Sequence, residues 1–80
     1  MRLDKWLKAS RLIKRRTVAQ EACDGGHVSI NGRVAKPSSD VKEGDVIAIS
    51  FGSRTLRAEV LSVAETVRKD DAAAMYREIQ

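Results

Sequence analysis

Eighty residues, 42% of them hydrophobic, leave room for one small folded domain and exclude a core joined to a separate catalytic domain. Fifteen Lys and Arg against eleven Asp and Glu give a net charge of +4, and five Gly with a single Pro argue against a disordered chain. The charge is unevenly placed: residues 1–42 hold ten basic and four acidic residues, a net +6, whereas residues 43–80 carry a net −2, so one basic surface facing a polyanion is expected.

The single cysteine, Cys23, has no partner for an internal disulfide, and the N-terminal stretch MRLDKWLKAS is charged and amphipathic rather than an apolar leader. A cytoplasmic location is the expectation. In that first stretch Asp4 is a candidate N-cap for a helix running through KWLKASRL. Leu3, Trp6, Leu7 and Ser10 fall on one side and Lys5 and Lys8 on the other. Between Ser10 and Thr17 the chain reads SRLIKRRT, with Arg11, Lys14, Arg15 and Arg16 set around the apolar pair Leu12 and Ile13. A solvated face would mix signs, and a disordered arm would lack the apolar pair. The spacing predicts a turn anchored from beneath by Leu12 and Ile13, with its cations pointed outward.

Thr17-Val-Ala-Gln20 has the spacing of a capping box and opens a second predicted helix, Val18 to about Asp24, that would turn Val18, Ala19, Ala22 and Cys23 to the core before Gly25-Gly26 ends it. HVSINGRVAK then changes period, and Asn31-Gly32 between β-branched residues predicts a type I′ hairpin. Pro37-Ser38-Ser39-Asp40 breaks the pattern, VIAISF and TLRAEVLSV read as strands around Gly52-Ser53, and Ala72–Ile79 reads as a short helix capped by Asp70 or Asp71, with Met75 and Tyr76 as apolar anchors. The expected fold class is α+β: two N-terminal helices on an antiparallel sheet of about four strands, followed by a short C-terminal helix. The division predicted is 1–64 for the main domain and 65–80 for a helical tail.

The order helix, basic turn, helix, hairpin suits phosphate binding. Arg and Lys on a rigid element release counterions when they neutralise phosphates. A helix N-terminus near Arg16 and Thr17 would add N–H groups and a positive partial charge. Arg15 and Arg16 fork onto phosphates in a way lysine cannot, and Arg2 would join them if the two helices pack at their N-terminal ends.

At this point the residues carry a resemblance. RLDKWL, then RLIKRRT as R-x-x-K-x-R-[TS], then GHVSING as G-x-V-x-[IV]-N-G, then KPS and the Gly44-Asp45 pair are similar to the signature of the S4 (alpha-L) RNA-binding domain over about residues 1–50. RLIKRRT, SINGRVAKPSSDVK and DAAAMY resemble, over nearly the whole chain, the short stand-alone members that serve bacterial ribosome-associated quality control. The resemblance implies a non-enzymatic factor on a large ribosomal subunit obstructed by peptidyl-tRNA. It would contact large-subunit rRNA and hold the P-site tRNA while a partner, RqcH, recruits alanyl-tRNA for C-terminal alanine tailing. It implies RNA contacts at Arg2, Arg11, Lys14, Arg15 and Arg16, with Lys5, Asn31 and Lys36 as further candidates. Arg2 and Arg16 come first.

Competing readings attach to several of these residues. Arg11 has a structural alternative in bridging the helices, and Asn31 is required by the turn whether or not RNA is bound. Cys23 and His27 stand four apart, but two ligands do not make a zinc site, and Cys23 reads better as a small core residue. No nucleophile, general base or cofactor motif stands out, so neither enzyme chemistry nor a cofactor is expected. Trp6 reads as core rather than as a stacking platform for a base. A monomer is expected, with no membrane partner. The alternatives by class are a heat-shock-type factor acting on free large subunits that carry peptidyl-tRNA, a helix-turn-helix DNA binder, and a protein adaptor using the sheet. The acidic, small-residue second helix is poor for a major groove.

Overall fold

Leu3, Trp6 and Leu7 recur at helical spacing and are fully buried along α1, Leu3–Ala9, while Lys5 and Lys8 face solvent. In the computed structural model, which describes residues 1–64 and 69–79, α1 packs against α2, Arg16–Asp24, and the two helices cover one face of a five-stranded antiparallel sheet. The strands are β1 Val28–Ile30, β2 Arg33–Val34, β3 Val46–Phe51, β4 Arg54–Val60 and β5 Tyr76–Ile79, in the spatial order β2-β1-β3-β4-β5. Register places Ile47 opposite Ala58 and Val28 opposite Ile49, so that these four side chains share the helix-covered face. Trp6, fully buried, ties the layers together by donating its indole N–H to the Ser62 carbonyl at 2.9 Å.

Each helix ends on a left-handed residue. At α2 this is Gly26, with φ 77°. The His27 N–H reaches the Ala22 carbonyl and the Gly26 N–H that of Cys23, which is the Schellman arrangement. Gly25 beside it has no room for a Cβ, which would lie 2.8 Å from the His27 ring. At α1 the corresponding residue is Arg11, a non-glycine at φ 62°, whose N–H meets the Lys8 carbonyl. The hairpin is as the sequence predicts: Asn31 and Gly32 both have positive φ, 51° and 84°, as a type I′ turn requires.

Four expectations are corrected. Asp4 is not the N-cap of α1; Arg2 is, without a side-chain cap, and Asp4 sits inside the first turn. Thr17 and Gln20 form no capping box, because α2 begins two residues earlier than predicted, at Arg16, and the Gln20 amide is drawn to Asp4 instead. Val18 is not in the core; the inward face of α2 is centred on Ala19 and Cys23, four residues apart and both buried, and Val18 lies off that face, 46% exposed. The helix expected over Ala72–Ile79 is a 3-10 turn, Lys69–Met75, followed by β5, which makes the fifth strand of the sheet. Met75 is buried as expected of an anchor. The predicted boundary after residue 64 and the Asp70 cap involve positions whose arrangement lies outside the described residues and side chains.

Candidate nucleic-acid interface

The N-terminal end of α1 is held by the segment that carries the KPS motif. The Leu3 and Asp4 N–H groups donate to the carbonyls of Ser39 and Pro37, at 2.8 and 3.1 Å. The segment is itself closed by reciprocal bonds between Lys36 and Ser39. The backbones of Arg2 and Asp40 form an isolated antiparallel β-bridge, and the Met1 ammonium pairs with the Asp40 carboxylate at 2.8 Å. Pro37 and Ser39 therefore have a local role: their carbonyls satisfy the first free N–H groups of α1.

Packing α1 on α2 brings their N-terminal ends together over Asp4, which has no exposed surface. Its Oδ1 accepts from Arg2 Nε at 3.1 Å and from the Lys5 backbone N–H at 2.8 Å. Its Oδ2 accepts from Arg2 Nη2 at 3.2 Å, Gln20 Nε2 at 3.1 Å and Arg16 Nε at 3.4 Å. Burial alone would raise the Asp4 pKa. The hydrogen bonds from Gln20, Arg2 and Lys5, with the Arg16 charge, outweigh it and hold the carboxyl below the usual value. The arginine side chains above it stay 46% and 42% exposed. Each commits its Nε edge to Asp4 and leaves terminal N–H groups for an outside acceptor.

Arg16 also opens α2, whose first turn holds no acidic residue and receives no side-chain cap. Its N–H groups and the helix dipole therefore add to the guanidinium charge. Arg11, Lys14 and Arg15 are exposed on the connection between the helices. Beneath it Ile13 is buried and Leu12 packs partly against the core, the anchoring expected of the apolar pair. Lys5 is exposed on α1 beside Asp4. Lys36 shares with Arg2 the lining of an open groove of about 510 Å³ that runs past Pro37 to Cys23. Asn31 is differently employed: its amide donates to Asp45 at 3.1 Å and accepts from the Val46 N–H at 2.9 Å, which fastens the hairpin to β3.

Gln20 is the site residue that sequence reasoning assigned to another task. Its partner lies sixteen positions away, and no local pattern signals that contact. Cys23 is buried, and burial together with the negative charges of Asp4 and Asp24 pushes its thiol up to about 11, so it stays protonated; His27 is exposed. Among the described residues no three His, Cys, Asp or Glu are grouped to hold a metal, and no helix is long and apolar enough to cross a membrane.

Residues 1–47 match the family model for the S4 domain, which covers both helices, the KPS segment and the hairpin. A protein of Halalkalibacterium halodurans named RQC P-site tRNA stabilizing factor is 54% identical over 76 residues, 95% of this chain and 86% of that protein. A heat shock protein 15 homolog of Aeromonas salmonicida is 36% identical over 98% of this chain, which spans 59% of that relative. The solved structure of Vibrio cholerae heat shock protein 15 superposes with a TM-score of 0.90 at 36% identity, covering 99% of this chain and 81% of that one. This chain belongs to the S4-domain family and, within it, to the group of proteins named RQC P-site tRNA stabilizing factor. The Vibrio protein is described as a trimer, so the expectation of a monomer finds no support among these relatives.

Proposed function

We propose that this protein is a non-enzymatic, cytoplasmic RNA-binding factor of ribosome-associated quality control. It acts on large ribosomal subunits obstructed by peptidyl-tRNA. It contacts rRNA, stabilises the P-site tRNA and thereby supports RqcH-dependent alanine tailing. The observation that carries this reading is the pair Arg2 and Arg16, half-exposed on one buried carboxylate at the uncapped start of α2. Such a pair offers forked N–H donors to phosphate oxygens, and duplex RNA is read largely through phosphates and shape. The names of the relatives more than 50% identical over most of this chain agree with that chemistry. Arg11, Lys14 and Arg15 extend the contact along the loop, with Lys5, Lys36 and Asn31 at its margins.

The test is a pull-down of the tagged protein from cells with stalled translation, at low and high salt, with RNA and proteins identified. Large-subunit rRNA, tRNA enriched in alanyl-tRNA and an RqcH-like protein are the expected captures. DNA, or no RNA at all, would overturn the reading. A second reading, rescue of free large subunits carrying peptidyl-tRNA, is favoured by the likeness to heat shock protein 15 over nearly the whole chain. It predicts large subunits and peptidyl-tRNA without the tailing partner.

A further inference from the structure

Asp4 is an expensive residue for its position. A carboxylate with no exposed surface loses its hydration, and an apolar side chain of similar size would fill the seam between α1 and α2 without that cost. Helix capping explains only part of its presence, since among the described residues a single backbone N–H, that of Lys5, bonds to it. Its other donors are side chains: Arg2, Arg16 and Gln20. Two of the three are the residues that the proposed function places on RNA, and both reach the same oxygen, Oδ2.

We infer that Asp4, assisted by Gln20, is a positioning residue that locks Arg2 and Arg16 into one rigid phosphate-binding fork. The inference rests on the RNA-binding reading above. An exposed arginine has many rotamers and must give them up on binding. Here the two guanidinium groups are fixed before a ligand arrives, and the negative charge beneath them offsets the repulsion of two adjacent cations. The arrangement gives up net attraction to any polyanion and gains geometry. It therefore favours a backbone of defined shape, presenting one phosphate or a neighbouring pair at the fork, over nucleic acid in general.

Charge and positioning predict opposite results for one substitution, Asp4→Asn, which keeps the shape and removes the negative charge. If Asp4 merely lowered the positive charge, the variant would bind every RNA more tightly. The positioning account predicts tighter binding to an unrelated RNA duplex but about tenfold weaker binding to obstructed large subunits, the scale of one lost charge-assisted hydrogen bond. It also predicts that the effect on subunit binding shrinks in an Arg16→Ala background, because the two residues act as a unit. Tighter binding of Asp4→Asn to both RNAs, or additivity with Arg16→Ala, would overturn the inference. Should Asp4→Asn fail to fold, Gln20→Leu removes one donor at unchanged charge and similar volume. A several-fold weaker grip on subunits at an unchanged melting temperature is then expected, and wild-type affinity would count against the inference. Failure of the wild-type protein to bind subunits is a separate result, which refutes the underlying RNA reading instead.

Discussion

Arg11 combines two demands in one residue. Its φ of 62° closes α1, a conformation that costs a non-glycine residue on the order of 1 kcal/mol, and its side chain stands exposed on the basic connection. Glycine adopts that conformation freely. Arg11→Gly is therefore expected to melt within a few degrees of the wild type, or slightly above it, while binding RNA more weakly. A large loss of stability would show that the side chain holds the helices together. Asp4 makes a different prediction, through pH. Its pKa in the fold lies below the ordinary 3.8, so the unfolded chain takes up its proton first as pH falls. The stabilisation is fully present above about pH 4 and is lost below it, as pH drops through the folded value. Acid unfolding monitored by circular dichroism should show this loss, and Asp4→Asn should flatten it without abolishing it. Asp40, also held low by the Met1 ammonium, contributes a further step.

Among the elements, those specified by neighbouring residues could be read from the chain, and those specified by distant ones could not. Asn31-Gly32 encodes its turn in two residues, and VIAISF and the alternation of Leu56, Ala58 and Val60 encode β3 and the core-facing side of β4. The basic turn was legible for the same reason, since Leu12 and Ile13 lie between the cations they support. The C-terminal segment was not: Ala72-Ala-Ala followed by Met75 favours a helix locally, but the free edge of β4 recruits Tyr76–Ile79 as a strand. The gathering of Arg2, Arg16 and Gln20 on Asp4 was hidden because two of these partners lie twelve and sixteen positions away. The convergence of Arg2 and Arg16 was foreseeable only as a condition on helix packing. If β5 completes the sheet, truncation after Met75 should lower stability by roughly 1–3 kcal/mol, the usual range for a lost packing element, seen as an earlier thermal transition. An unchanged transition would mean that β5 contributes nothing to the fold.

At the scale of the whole molecule, the extents are 28 × 26 × 21 Å, so the protein can touch only a short stretch of nucleic acid. Its affinity must then rest on few phosphates, and each arginine should be felt individually. This agrees with a chain whose first half carries the net +6 and whose second half supplies three of the five strands and the negative charge. The most direct test of this account measures binding of the purified protein to large subunits obstructed by peptidyl-tRNA, across a salt series, for the wild type and Arg16→Ala. The account predicts wild-type affinity that falls linearly on logarithmic axes. It predicts weaker binding by a folded Arg16→Ala, with a slope reduced by about one. Normal occupancy of obstructed subunits by Arg16→Ala, with an unchanged salt slope, would contradict it.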